Sequence, residues 1–415
     1  MADLDITAFT PVLKTVFPNG EYPKDVVYKG SPLLGILPKD PKAAGLGELI
    51  KVPLRYGLPQ GRSATAGTVL GASSGQSASK YKAFQITTVN DYAAARITGD
   101  VIDRSKSNPG AFIQGAKSEI DGAMRQLKRS AVHALYHNGG GAIGQISTGS
   151  TVASLVLTLA ETADIVWFEV GQFIQAATTD GTSGSLKTGS AQITAIDRNA
   201  GTITTSGANW STQITGLATS DYLFVSGDFG LKMSGLDAWI PTTAPGATLF
   251  FGVDRTADLQ RLSGVRASAS LAGTPIEEAL LTAVELVSRQ GGMPDTIVMH
   301  TQDFKNLQNS LGTRARYVLT PSFDASTVGF RAIEIILGDV ECRIYADRDC
   351  PRGRMYVLQL DTWMLYSLGG IPKMLNNDGL DMLRVVTADS VEFQGVYRAQ
   401  LACNAPGFNG VFTIG

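Results

Sequence analysis

Cysteine is scarce in this sequence. Cys342, Cys350 and Cys403 are the only three, an odd number with no C-x-x-C spacing, so neither a disulfide framework nor a zinc ribbon is indicated. Histidine is equally sparse, with three copies. Charged residues make up 17% of the chain, against a usual ~25%. Neither sign prevails: 35 Lys and Arg face 37 Asp and Glu, for a net charge of −2. That balance gives no overall pull toward nucleic acid or an anionic membrane. Long apolar runs are missing too. The longest uncharged one, around residues 152–160, falls far short of the ~20 residues needed to span a bilayer. The opening Met1-Ala2-Asp3-Leu4-Asp5 has neither a basic nor an apolar signal region. These absences predict a soluble, reduced protein made in the cytoplasm.

What remains is long and rich in glycine: 415 residues with 46 Gly. The length suits two or three domains and a sizeable core. A soluble monomer keeps a more charged surface than this, so much of the surface is expected to meet other subunits. Residues 1–50 read as an arm. Prolines at 11, 18, 23, 32, 38 and 41 prevent continuous helix or ladder pairing. Phe9, Phe17, Leu33 and Leu34 are its candidate anchors on something else.

Residues 48–98 read as a long two-stranded excursion, with strand-like runs at 49–56 and 83–97. Between them, 15 of the 19 residues from 61 to 79 are Gly, Ala, Ser or Thr, which cannot build a core. Arms of 51–70 and 76–95, fully extended at ~3.3 Å per residue, would each reach ~65 Å. The stretch 51–90 holds Lys51, Arg55, Arg62, Lys80 and Lys82 and no carboxylate. A mobile surface loop and an arm laid over an acidic neighbour fit it equally.

Residues 108–138 predict a helix. Asn108 is the expected N-cap and Pro109 the first helical residue. Apolar residues recur every three or four positions from Ile113 to Leu135, and Asn138-Gly139 supplies the stop. Residues 165–230 read as a small β-rich insert with more carboxylates than cations. Further on, Thr274-Pro275-Ile276-Glu277 predicts a capping box for a helix ending at Gly291-Gly292. A strand at 296–299 and a helix near 302–311 follow. Strands are then expected at 332–337, 341–345, 355–360 and 363–367, and an extended tail at 391–414.

The chemistry-bearing patterns are weak. His133 and His137 lie four apart on the long helix, but H-E-x-x-H is absent; they read as ordinary helix-surface histidines, and His300 as a strand-end residue. Gly139, Gly141 and Gly144 match G-x-G-x-x-G, yet follow a helix rather than a strand, so they read as a helix stop and flexible joint. Gly71-Ala72-Ser73-Ser74-Gly75 matches G-x-S-x-G but sits at the tip of the excursion, without the elbow's strand and helix. No catalytic, cofactor-binding or metal-binding residue is assigned, and no enzyme activity is expected.

The order of parts nevertheless resembles a known family. Gly30-Ser31-Pro32-Leu33-Leu34, Leu37-Pro38-Lys39 and Val52-Pro53-Leu54 look like an arm leading into an extended loop. Phe251-Gly252-Val253-Asp254-Arg255 and Gly273-Thr274-Pro275-Ile276-Glu277 look like the entry to an axial domain. Pro351-Arg352-Gly353-Arg354 and Ala405-Pro406-Gly407-Phe408 look like late strands. Together they resemble the major capsid proteins of tailed bacteriophages, the Hong Kong 97 type of fold.

The resemblance implies an α+β fold with an N-terminal arm (1–50), peripheral strands and extended loop (51–98), and a spine helix of the peripheral domain (99–150). A β-barrel-like insertion domain (160–235), an axial domain (236–350) and late strands returning to the peripheral domain (351–415) complete it. It further implies hexamers and pentamers in an icosahedral shell around double-stranded DNA, contacted non-specifically. A separate scaffolding protein, a portal protein and room for a decoration protein are expected with it, as are assembly in the host cytoplasm and residence in the virion, without a membrane. Lys51, Arg55, Arg62, Lys80 and Lys82 would be interface residues of the loop, and Phe9, Phe17, Leu33 and Leu34 of the arm. Lys80 or Lys82 with Asn376 or Asn377 are formal candidates for an intersubunit isopeptide weld, an uncrosslinked shell being the simpler expectation. The alternatives are an encapsulin-like nanocompartment shell and, further off, a soluble α/β hydrolase.

Overall fold

The computed structural model describes residues 31–41, 49–70, 76–98, 109–268, 270–311, 317–318, 332–337, 340–375, 383–384 and 389–414. Phe9, Phe17, Asn108, Asn376 and Asn377, and the tip of the excursion at 71–75, lie outside them. The chain divides into two compact units. One takes Val89–Ala238 and Ser367–Ala399, the other Gly35–Thr88, Trp239–Tyr366 and Gln400–Gly415.

In the first unit, helix α1 (Pro109–Tyr136) is the longest element, about 42 Å at 1.5 Å per residue. Ile120, Met124, Leu127, Ala131 and Leu135 form its buried stripe, following the apolar period. Near its C-terminal end the burial spreads around the helix: Val132, His133, Ala134 and Tyr136 are buried as well. The strand Val89–Thr98 pairs antiparallel with the strand Ser390–Cys403, in register from Thr98 against Ser390 to Val89 against Ala399. A Cβ on Gly395 would meet Leu127 Cδ1 at 2.9 Å and Met124 Sδ at 3.1 Å, so glycine lets this strand lie flat against the helix.

The insert is a closed six-stranded barrel built from β1 (Ala142–Gln145), β2 (Val156–Thr158), β3 (Phe173–Ala177), β4 (Ala191–Asp197), β5 (Thr202–Thr205) and β6 (Tyr222–Val225). The ladder runs β1-β6-β3-β4-β5-β2. It closes where Ile146 bridges Leu159, with Ser147 N–H donating to Thr158 O and Ala160 N–H to Gln145 O. Closure removes both sheet edges. Its interior holds Leu157, Phe168, Ile174, Ile203, Trp210 and Leu223, with the small Ala176 and Ala191 among them. The sheet recruits β1 and β2, so it starts near residue 142 and not near 160. The run at 165–176 begins as a 3-10 helix, Thr162–Trp167, before β3.

Entry to and exit from the barrel are side by side. Gly230 N–H donates to Gly140 O at 2.8 Å and Lys232 N–H to Gly139 O at 3.2 Å. A Cβ on Gly140 would lie 2.0 Å from Asp180 O, and one on Gly141 2.4 Å from Asp228 O. The glycines at 139–141 are therefore a packed neck. The expectation of a flexible joint is corrected: backbone here approaches backbone too closely for any side chain.

In the second unit, helix α2 (Ile276–Arg289) buries Ile276, Ala279, Leu280, Ala283, Val284 and Val287. The capping box does not form. Thr274 Oγ1 donates to Leu271 O, and Glu277 accepts from Ser310. Strand β7 (Thr296–Met299), helix α3 (Thr301–Leu311), β8 (Ala332–Leu337), β9 (Val340–Ala346), β10 (Arg354–Leu358) and β11 (Gly410–Thr413) follow. They form a mixed sheet ordered β8-β9-β7-β10-β11, with β7 and β9 parallel. β7 is buried throughout, as a central strand covered on both faces must be.

The same unit carries the hairpin. Ile50–Gly57 pairs antiparallel with Lys80–Ile86, from Ile50 against Ile86 to Gly57 against Lys80. Its inner face, with Ile50, Val52, Phe84 and Ile86, is buried. Phe84 meets Trp239 edge-on at 4.9 Å, and Arg255 lies 4.2 Å over the Phe250 ring beside it. The paired ladder is about 26 Å long at 3.3 Å per residue, far less than the reach expected of two extended arms. The reason is local: Ala66–Leu70 is a helical turn, and the run at 83–97 breaks at Thr87-Thr88, its second half pairing in the other unit.

Candidate functional site

The basic hairpin is the feature that sequence singled out. Alternation along its strands puts Lys51, Pro53 and Arg55 on one face with Tyr81, Ala83 and Gln85, and all six are exposed. Gln85 N–H points away from the partner strand and donates to Phe251 O. Lys51/Gln85, Pro53/Ala83 and Arg55/Tyr81 are thus the pairs without mutual ladder bonds. Pro53 therefore loses no ladder bond, and its missing N–H falls on the outer edge of the strand.

The five cations do not form one stripe. Lys51 and Arg55 share the outer face, Arg62 and Lys80 are exposed farther out, and Lys82 is half-buried on the inner side opposite Leu54. Lys82 faces Asp254, whose carboxyl is lowered chiefly by hydrogen bonds from Thr256 and slightly by Lys82. Among the described residues, none of the five makes an ion pair within the chain. Tyr81 is 64% exposed and Leu58 57%, so the cations are interleaved with apolar surface.

Leu33 and Leu34 are in a different situation. Both are buried within the chain, in the short helix Pro32–Ile36.

The histidine pair also departs from expectation. His133 is buried, its ring stacked on His137 at 3.8 Å and edge-on to Trp167 at 4.6 Å. His137 Nδ1 is 2.8 Å from His133 O. Burial pushes the His133 imidazole well below its ordinary range, helped by His137 and Lys232. It joins helix to barrel and is not a surface residue. His300 lies just past β7, as expected, and its ring accepts from Gln302 N–H at the start of α3.

Beside this pair a groove of about 620 Å3 opens between helix α1, the strand at 89–98 and the barrel. Its floor is a closed polar network. Lys232 Nζ lies 2.6 Å from Asp91, 3.1 Å from Asp228 and 2.8 Å from Ser130 Oγ. Burial raises the Asp228 carboxyl, with Lys232 opposing. Arg129 pairs with Glu169 at 2.5 Å and lies over Trp167. The rim is apolar and open: Tyr92 is 56% exposed, Val170 63% and Phe173 50%. Sequence reading missed this rim. The signal was present as a run of apolar residues among three carboxylates at 161–173, without a Lys or Arg, but which of them face outward depends on barrel closure.

This arrangement combines an exposed basic hairpin face with buried polar ties. Among the described residues no group of His, Cys, Asp and Glu is placed to hold a metal ion, and no helix is long and apolar enough to cross a membrane. The fold itself is that of phage capsid subunits. The chain is similar to a chain of the cyanophage A-1(L) capsid asymmetric unit, with 14% identity over 96% of this chain and 97% of that one, at a TM-score of 0.52. A chain of Mycobacterium phage Bobi shares 10% identity over 100% and 99%, at a TM-score of 0.43. No protein-family model and no curated protein matches the chain.

Proposed function

We propose that this chain is the major capsid protein of a tailed phage, building an icosahedral shell of hexamers and pentamers around double-stranded DNA. The observation that carries the reading is the likeness in fold to the cyanophage capsid chain along nearly the whole length of both. The hairpin supports it: an outer face of unpaired cations and exposed Tyr81 is of no use to the chain alone and suits contact with another copy. Shells need such heterologous contacts, closed by symmetry.

In the Hong Kong 97 description, α1 is the spine helix, the hairpin the base of the extended loop, and the sheet with α2 and α3 the axial domain. The barrel is the insertion. The role is structural and not catalytic. Scaffolding, portal and decoration proteins are the partners expected with it, with assembly in the host cytoplasm and residence in the virion. The packaged DNA is held weakly and without sequence preference, since the chain carries no net positive charge.

Expression of the chain with and without its genomic neighbours, followed by negative-stain microscopy, tests the reading. Closed shells are the expected result, and a monomer that forms none under either condition overturns it. Nucleic acid in particles from infected cells supports the phage reading. An enzyme enclosed in its place would turn the reading to a nanocompartment.

A further inference from the structure

The outer face of the hairpin carries cations that nothing described in its own chain answers. Residues 49–88 hold five cations and no carboxylate. Lys51 and Arg55 stand about 13 Å apart on that face at 3.3 Å per residue, and exposed Tyr81 sits directly across from Arg55. Many carboxylates of the chain are already held: Arg129 and Arg198 hold Glu169, and Lys232 holds Asp91 and Asp228.

Helix α2 is an exception. Its buried stripe leaves Glu278, Leu281 and Glu285 exposed, with Leu281 at 41%. The two glutamates are seven residues apart, about 10.5 Å along the axis and close to two full turns, so they share one side of the helix. Neither carboxylate makes an ion pair or a side-chain hydrogen bond among the described residues. Their neighbour Glu277 is the one that is held, by Ser310. Arg289, the only cation of the helix, is exposed one turn past Glu285.

We infer that the exposed face of α2 receives the outer face of the basic hairpin from a second copy of this chain. Arg55 lies over Glu278, Tyr81 packs on Leu281, and Lys51 lies over Glu285. The two charge spacings differ by about 3 Å, which the long Lys and Arg side chains take up. Arg289 repels Lys51 from any position farther along the helix, so the contact has one register. Pro53 keeps the outer edge of the hairpin from pairing as a strand, and contact is made through side chains. Exposed ion pairs contribute little to affinity; they steer and align, and burial of Tyr81 against Leu281 adds to the hold.

This inference rests on the shell reading, and the experiment separates the two. Chains carrying Tyr81→Cys are assembled together with chains carrying Leu281→Cys, and the shells are oxidised with copper phenanthroline and run on denaturing gels. The native thiols do not interfere: all three cysteines are buried, and burial pushes Cys342 and Cys403 up to about 12. In parallel, one chain carries Glu278→Lys with Glu285→Lys, another Lys51→Glu with Arg55→Glu, and a third all four changes.

The expected result is a reducible band at twice the chain mass in the mixture, absent from shells of either cysteine variant alone. The first two charge variants should keep the parent's circular dichroism and lose shells, and the fourfold variant should regain them. Closed shells from the mixture without the band overturn the inference and leave the shell reading standing. So do normal shells from the Glu278→Lys, Glu285→Lys chain, or a fourfold variant that folds and makes none. If the cysteine chains fail to assemble, the charge exchange decides. If the unaltered chain makes no shells, the shell reading fails and takes the inference with it.

Discussion

At the scale of single residues, two glycines make opposite predictions. Gly122 sits exposed on α1, and a Cβ added there would meet nothing within 4 Å. Gly122→Ala should raise stability by about 0.5–1 kcal/mol through helix propensity alone. Gly140→Ala has no such freedom, since its Cβ would lie 2.0 Å from Asp180 O. It should cost about 1–3 kcal/mol or more by forcing the neck apart. Denaturant unfolding of the two variants against the parent checks both.

His133 adds a pH dependence whose sign is fixed. Its folded value is lowered below 6.5 by burial, then by His137 and Lys232. Its contribution is therefore fully present above about pH 6.5 and is lost as pH falls toward the lowered folded value. The parent should lose stability between about pH 7 and pH 5 more steeply than His133→Gln, whose side chain does not titrate. Equal slopes would show that the ring carries no such share. The histidine spacing was plain in the sequence, but its burial was not: a helical period cannot show that the barrel wraps the last turns of the helix.

At the scale of elements, the hairpin lets folding and the proposed assembly role be tested apart. Its core face is Ile50, Val52, Phe84 and Ile86, whereas Arg62 and Lys80 are exposed and Lys82 is half-buried. Replacing Arg62, Lys80 and Lys82 by Glu should leave the subunit's circular dichroism and unfolding midpoint near those of the parent and abolish shells. Normal shells from that variant would remove the register role of these cations.

Pro53 acts differently. Pro53→Thr supplies an outward N–H and a better strand former at no cost to the ladder. The expected outcome is a folded chain that self-associates off the assembly path, read as early aggregate in light scattering. Strand and helix identity were largely legible here. Thr296–Met299 and Trp363–Ser367 match their expected bounds, and α1 spans Pro109–Tyr136 where 108–138 was expected. The capping box was the failure, because Pro275 and not Thr274 is the N-cap, and Thr274 Oγ1 turns back to Leu271 O.

At the scale of the whole molecule, the barrel is a body with its own hydrophobic interior. Residues 140–231 expressed alone should unfold cooperatively, with Trp210, fully buried among barrel residues, reporting a blue-shifted emission that reddens on denaturation. A non-cooperative, ANS-binding product would show that the barrel depends on the rest of the chain. Composition made the insert visible as a β-rich, acidic stretch. Its true start was hidden because Ala142–Gln145 and Val156–Thr158 are too short for a periodic signal, and pairing between distant segments alone makes them strands.

The narrow glycine neck has an evolutionary consequence. Because the polypeptide leaves and rejoins the trunk at points one hydrogen bond apart, the barrel is a cassette. Its removal should leave the geometry on either side unchanged, and a foreign module whose ends meet equally closely should be accepted as a graft at the same place.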